Sequence, residues 1–151
     1  VAGANAFLTD DFMQGLLASG LQLYALNGDS GSLSSNMPVS IKIIRKDAPV
    51  SLTLAELVAD TVNQFGDVLD LTSDIEQAGV MLGNDEAVQV SFSNRVQTAV
   101  SSEVETHITQ YYLMRDGDLY IITLEMGQEL VGTYLASAQT AVETFQITPA
   151  E

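Results

Sequence analysis

Two adjoining segments constrain the fold more than any other part of the sequence. The runs Ile108 to Met114 and Leu119 to Met126 both show apolar alternation, and Asp116-Gly117 lies between them. Asp-Gly in this position is typical of a two-residue type I′ turn, because both of its residues need a positive φ. The turn predicts the register of a long antiparallel hairpin. In this register one strongly apolar face pairs Thr109 with Leu124, Tyr111 with Ile122 and Leu113 with Tyr120, and the other face carries Gln110, Tyr112 and Glu125.

Helix and strand patterns alternate along the rest of the chain. Strands are predicted at residues 21–26, 39–45, 75–81 and 87–92, and loops at 27–38 and 93–105. Helices are predicted from Thr9 to Ala18, after Pro49 and from Gln128 to Phe145. The second helix begins with the capping-box spacing Thr53-Leu-Ala-Glu56 and carries the apolar stripe Leu54, Leu57, Val58, Val62, Phe65, Val68 and Leu69. The stripe of the last helix is Val131, Leu135, Ala138, Val142 and Phe145. Long antiparallel strands with interposed helices indicate an α+β fold, an antiparallel sheet sandwiched with helices.

Length and charge bound the domain count and the partners. A chain of 151 residues predicts a single domain over residues 1–151, with residues 1–20 as an N-terminal helix or partly ordered extension. Hydrophobic residues make up 46 %, which is enough apolar area to offset the ordering entropy of folding. The 20 acidic and 5 basic side chains give a net charge of −15, which opposes binding to nucleic acid. The absence of cysteine excludes disulfides and thiol catalysis.

The order of the elements and several segments resemble the PsbP-like fold family. The segments that carry the resemblance are Val80-Met81-Leu82-Gly83, the strand Ala87 to Phe92, the hairpin Gln110 to Thr123 and the end of the last helix, Glu143 to Ile147. This family includes the extrinsic PsbP proteins of photosystem II, a Ran-binding nuclear-import factor and bacterial lipoproteins. The resemblance covers about residues 20–150 and implies a PsbP-like α/β/α sandwich core. It brings no shared catalytic residues.

The apolar runs and the first residues bear on the compartment. The longest apolar runs, such as Leu119 to Ile122, are far shorter than the roughly 20 residues that cross a bilayer, so we predict no membrane span in this chain. The chain begins at Val1 and continues with small residues, a composition typical of the segment after a cleaved signal peptide. We therefore predict an extracytoplasmic protein, secreted or tethered by an upstream anchor. A cytoplasmic location is the alternative.

Catalytic and cofactor-binding patterns are missing from the sequence. His107 is the sole histidine, and Glu103, Glu105 and Glu125 are its candidate carboxylate partners. A solvated or hydrogen-bonded histidine at a strand end is the favoured interpretation. The sequence contains no Gly-x-Ser-x-Gly, no glycine-rich phosphate loop and no alternating carboxylate pattern of a calcium loop. It therefore predicts no catalytic residue, no cofactor and no metal site.

A cluster of cations is the first candidate binding site. Lys42, Arg45 and Lys46 are three of the five basic residues and lie within five positions of one another. They form a candidate contact for an acidic or anionic partner. The alternative is that they pair with nearby acids and protect a strand end.

A set of aromatic residues is the second candidate site. Tyr111, Tyr120 and Phe145 are predicted to line an apolar pocket under the hairpin, which would take a small hydrophobic ligand. The alternative is that these three residues belong to the core.

The missing chemistry and the resemblance together favour a non-enzymatic accessory or binding module that acts through protein–protein contacts. Its protein partner is not identified by the sequence. The alternatives are a carrier of a small hydrophobic ligand and an enzyme that uses an apolar cleft. A homo-oligomer that assembles through an exposed sheet edge is a third interpretation.

Overall fold

The computed structural model describes residues 14–15, 17–98 and 102–148. Within these ranges the chain forms one sheet of seven strands, in which every pairing is antiparallel. The strands are β1 (Leu21–Leu26), β2 (Ser40–Asp47), β3 (Asp70–Leu71), β4 (Glu76–Leu82), β5 (Asp85–Gln97), β6 (Glu103–Arg115) and β7 (Asp118–Gly127). Their order across the sheet is β1-β2-β7-β6-β5-β3, and β4 pairs with β5 along the same edge as β3. The predicted α+β fold is confirmed.

Helices cover both faces of this sheet. They are α1 (Ser30–Leu33), α2 (Leu54–Val68) and α3 (Val131–Glu143), and a 3-10 helix at Gln128–Leu130 precedes α3. Helix α2 packs on a cluster that contains Tyr112, and α3 packs on clusters that contain Tyr111 and Leu124. Because neighbouring residues of a strand point to opposite faces, α2 and α3 lie on opposite sides of the sheet. No helix in the described ranges is long and apolar enough to span a bilayer.

The hairpin of β6 and β7 has the predicted turn and register. Asp116 and Gly117 have φ values of 52° and 84°, as a type I′ turn requires. The observed pairs include all three that the sequence predicts on the more apolar face. The opposite face of the hairpin is also buried where α2 covers it, since Tyr112 is only 2 % exposed there.

Helix α2 begins as its sequence predicts. The Thr53 hydroxyl accepts a hydrogen bond from the Glu56 N–H at 3.2 Å, and the Glu56 carboxylate accepts one from the Thr53 N–H at 2.8 Å. This reciprocal pair is the capping box. Further along the helix, the ring of Phe65 packs 5.0 Å from that of Phe92. Val68, which the predicted stripe included, is 73 % exposed at the last residue of the helix.

Residues 93–97 and 103–105, which the sequence predicts as part of a loop, instead extend β5 and β6. Strand β5 continues to Gln97 and β6 begins at Glu103, while residues 99–101 lie outside the described ranges. Asn94, one of the polar residues that suggest a loop, is paired across the strands. Thr106 donates its hydroxyl hydrogen to Asn94 Oδ1 at 2.7 Å, and both residues are buried. Cross-strand hydrogen bonds therefore hold this part of the sheet where apolar alternation is absent.

The connection between β1 and β2, also predicted to be a loop, contains α1 and is anchored at two points. Ser32 is fully buried, and its hydroxyl accepts a hydrogen bond from the Val39 N–H at 2.9 Å. Tyr134 of α3 donates its hydroxyl hydrogen to the Asp29 carboxylate at 2.6 Å, which lowers the pKa of Asp29. These contacts fix the connection to the α3 side of the molecule.

The helices near the two ends of the chain match the sequence prediction in part. Of the helix predicted from Thr9 to Ala18, residues 14–15 and 17–18 are helical, and the remaining positions lie outside the described ranges. The predicted stripe of the last helix packs on the sheet. This helix ends at Glu143, and residues 145–148 form neither helix nor strand, although Ile147 packs against the core.

Candidate functional site

A wide groove lies between the start of α2 and the edge strand β4. Its volume is about 590 Å³, which is within the usual range of small-molecule sites. The side that belongs to α2 includes Leu54 and Ala55, and the side that belongs to the sheet includes Gly79, Met81 and Val88. We call this feature the α2–β4 groove.

The groove exists because α2 covers only part of its face of the sheet. Helix α2 packs on β5 and β6, and β4 is one strand further out. Gly79 pairs with Val88 and has no side chain, and a Cβ placed on Gly79 would meet no atom within 4 Å. Met81 lies on the same face two residues later and is 55 % exposed. An apolar surface is therefore left open to solvent beside the helix.

The outer edge of β4 is unpaired in the part of the chain that the structure describes. Strand β4 pairs with β5 alone, in a continuous register from Glu76 with Ser91 to Leu82 with Asp85. Edge strands are commonly protected by lysine, by proline or by a bulge, and β4 has none of the three. Backbone N–H and C=O groups therefore face solvent next to the α2–β4 groove.

The charge near the α2–β4 groove is negative. Glu86 is the one charged side chain among its described lining residues, and Glu76 begins β4 on the opposite, α3 face, where it pairs with Ser91; both are exposed. Strand β2, which carries three of the cations, is separated from β4 by β7, β6 and β5, a distance of about 19 Å at about 4.8 Å per strand. The other two cations form ion pairs, Arg95 with Asp70 and Arg115 with Asp85.

The structure divides the predicted cation cluster between the two faces of β2. Lys42 and Lys46 lie on the α2 face and Arg45 lies on the α3 face, because they alternate along the strand. The Arg45 guanidinium pairs with the Asp118 carboxylate at 2.6 Å and lies 6.0 Å from the centre of the Tyr120 ring. The three cations therefore do not share one surface, and a partner contact at these residues stays a prediction.

The three aromatic residues predicted to line a pocket pack together between the hairpin and α3. The rings of Tyr120 and Phe145 lie 6.0 Å apart, and Tyr111 is 2 % exposed in the same cluster. Burial raises the pKa of Tyr111 to about 12. Their packing resembles that of core residues, and a ligand-binding role for them stays a prediction.

His107 lies on the α3 face, on the side of the sheet opposite the α2–β4 groove. Its Nδ1 is 3.4 Å from the Ser93 hydroxyl oxygen, and its Nε2 is 3.3 Å from the Thr109 hydroxyl oxygen. Burial lowers the pKa of His107, and the charge of Glu76 opposes this effect. Glu125 lies on the other face, because Met126 is the residue that pairs with His107. A half-buried imidazole between two hydroxyl groups has the surroundings of a hydrogen-bonded structural histidine.

A small polar cavity lies on the α2 face near the other edge of the sheet. Its volume is about 100 Å³, room for about three water molecules, and its lining includes Lys42, Thr123 and Glu125. Burial raises the pKa of Glu125, and the charge of Lys42 opposes this effect. In the described ranges no group of three or more His, Asp and Glu side chains is placed to hold a metal ion.

Sequence reasoning missed the α2–β4 groove. Its two sides come from segments around Leu54 and Gly79, which only the sheet register and the packing of α2 bring together. The available signal was Gly79 itself, because a glycine inside a strand often marks a place that another molecule approaches closely.

Comparison with known proteins identifies structures of the same architecture. No family model matches the sequence, and no curated protein matches it. PA94 from Pseudomonas aeruginosa, a protein of unknown function, has a TM-score of 0.68 at 14 % identity, over 85 % of this chain and 83 % of that one. LpqN from Mycobacterium tuberculosis, which is involved in cell envelope biogenesis, has a TM-score of 0.54 at 13 % identity, over 85 % and 80 % of the two chains. The solution structure of cyanobacterial PsbP (CyanoP) from Synechocystis sp. PCC 6803 has a TM-score of 0.51 at 14 % identity, over 83 % and 81 %.

Proposed function

We propose that this chain, which has the PsbP-like fold predicted from its sequence, is a non-enzymatic binding module that contacts a protein partner at the α2–β4 groove. The observation that supports the proposal most strongly is the open apolar surface there. Met81 is 55 % exposed at the rim, and Leu54 and Val88 are half-buried in the walls. Contiguous exposed apolar surface on a folded protein marks interaction sites, whereas scattered apolar residues do not.

The proposal includes an extracytoplasmic location and an accessory role. LpqN, which shares the fold, is involved in cell envelope biogenesis, and this supports an envelope setting for the present chain as well. The sheet beneath the groove supports a binding role, because its strands pair in long continuous registers and present the site on a rigid element.

Selection from a displayed library of random peptides tests the proposal. We expect peptides that bind the wild-type chain and lose binding to the Met81→Lys variant, because the lysine places a hydrated charge on the apolar rim. Leu23→Lys is the matched control, since Leu23 is 47 % exposed on β1 at the opposite edge of the sheet. The proposal fails if no peptide is enriched, or if the enriched peptides bind the wild type and both variants equally.

A carrier of a small hydrophobic ligand is the second candidate function. It is favoured by the volume of the α2–β4 groove, about 590 Å³, which would hold such a ligand. A fluorescent fatty-acid probe would test it by titration. One-to-one binding of this probe that Met81→Lys abolishes, together with no enrichment of peptides, would replace the binding module by the carrier.

A further inference from the structure

We propose that the partner segment is an extended cationic peptide that adds to the outer edge of β4 as a further strand and places alternate side chains in the α2–β4 groove. This inference rests on the proposed function at that groove and specifies the chemistry of the partner and its mode of binding. Strand addition supplies affinity through backbone hydrogen bonds and specificity through pockets for every second side chain.

The backbone of β4 is a suitable template for an added strand. Its seven residues extend over about 24 Å at about 3.4 Å per residue. The pairing of β4 with β5 has no register shift, so no bulge turns the edge away from an incoming strand. At the other edge of the sheet, the pairing of β1 with β2 is irregular between Leu21 and Leu23. The two edges therefore differ, and β4 is the more regular template.

The groove accounts for the apolar half of the proposed peptide. On the α2 face, β4 presents Gly79 and Met81, and alternate side chains of an added strand would lie beside them. The missing side chain of Gly79 leaves space for a larger residue of the partner. Leu54 of α2 forms the opposite wall, so this side chain would be enclosed on two sides by apolar groups.

The charge around the groove accounts for the cationic half. The chain has a net charge of −15. Glu86 is exposed at the groove, and Glu76 is exposed on the α3 face of β4, beside the side chains of an added strand that would point away from the groove. The start of α2 would by itself attract anions, but Glu56 already accepts a hydrogen bond from the Thr53 N–H there. An acidic strand would therefore be repelled at this edge, and a basic one attracted.

Three synthetic peptides test the inference with the full chain. The first alternates valine and lysine over the length of β4, the second has glutamate in place of lysine, and the third repeats the first with N-methyl groups on all of its backbone amides. We expect the first peptide to bind, to bind more weakly as salt increases, and to slow amide hydrogen exchange in β4. The second should bind at least about tenfold more weakly. The third should also weaken by about tenfold or more, because it cannot form several of the backbone hydrogen bonds.

The outcomes separate failure of the inference from failure of the proposed function. If library peptides bind in a Met81-dependent manner, but N-methylation changes nothing and exchange in β4 stays fast, strand addition is wrong and the groove remains the binding site. Stronger binding of the glutamate peptide than of the lysine peptide would overturn the cationic partner. If neither the library nor the synthetic peptides show binding that Met81→Lys removes and Leu23→Lys retains, the proposed function itself fails.

Discussion

Two glycines of this chain should respond to the same substitution with opposite changes in stability. Gly117 lies in the β6–β7 turn with a φ of 84°, where the surrounding space is open but the left-handed backbone strains any side chain. This conformation costs an alanine about 1–2 kcal/mol. Gly66 lies in the last turn of α2, and a Cβ placed there also meets no atom within 4 Å. Alanine at this helical position should stabilise the protein by about 0.5–1 kcal/mol.

The predicted difference is large enough for ordinary equilibrium unfolding to measure. Gly117→Ala and Gly66→Ala should differ by about 1.5–3 kcal/mol in the free energy of unfolding. With a urea slope of about 1–3 kcal/mol/M, their unfolding midpoints should separate by about 1 M. Circular dichroism against urea would place Gly117→Ala below the wild type and Gly66→Ala above it.

Equal slopes in all three proteins are the internal control, because they show that the denatured states are comparable. If Gly117→Ala unfolded at the wild-type urea concentration, the turn would not have the conformation that determines the hairpin register. If both variants moved in the same direction, an effect on the unfolded chain would explain the result better than the backbone conformation of each site.

Four further predictions concern packing, capping and pH. Leu124 is fully buried, so Leu124→Ala should lower the free energy of unfolding by about 2–5 kcal/mol in urea titrations, whereas Leu23→Ala at an exposed site should change it little. Thr53→Ala should cost about 1 kcal/mol through loss of the capping box, and a Thr53→Ser variant that lost as much would contradict this explanation. Burial lowers the pKa of His107 in the folded state. The free energy of unfolding should therefore be retained above the unfolded-state pKa near 6.5 and decrease as pH falls below it. His107→Gln should flatten this part of a plot of unfolding free energy against pH. Burial raises the pKa of Glu125, so the protonated carboxyl stabilises the fold at low pH, and this stabilisation should be lost as pH rises above the unfolded value near 4.5. Glu125→Gln should therefore be more stable than the wild type at pH 7. Equal or lower stability of this variant would refute the raised pKa.

The parts of the fold that local chemistry determines could be predicted from the sequence. Asp116-Gly117 specifies its turn through φ alone, and the capping box at Thr53 specifies a helix start within four residues. Residues 93–97 and 103–105 have no local strand pattern, because their place in the sheet depends on partners in the neighbouring strand. The bond from Thr106 to Asn94 joins residues that no local pattern connects.

The candidate site could not be predicted for a related reason. The α2–β4 groove depends on how far α2 extends across the sheet, and that position is set by packing against β5 and β6. Residue type alone does not indicate on which face of the sheet a side chain lies. Lys42 and Arg45 are close in sequence, but strand alternation directs them to opposite sides.

The pairing of β2 with β7 has a consequence for how the chain is made. Strands β4 to β7 follow one another in sequence and pair with their neighbours, so they can assemble soon after leaving the ribosome. In the described ranges, β1 and β2 have no sheet neighbour except each other and β7, whose residues are synthesised much later. Strands β1 and β2 therefore join the sheet only after β7 has formed. Closing the long loop between β2 and β7 costs conformational entropy. A chain that ends before β7 should therefore leave β1 and β2 with only each other as pairing partners.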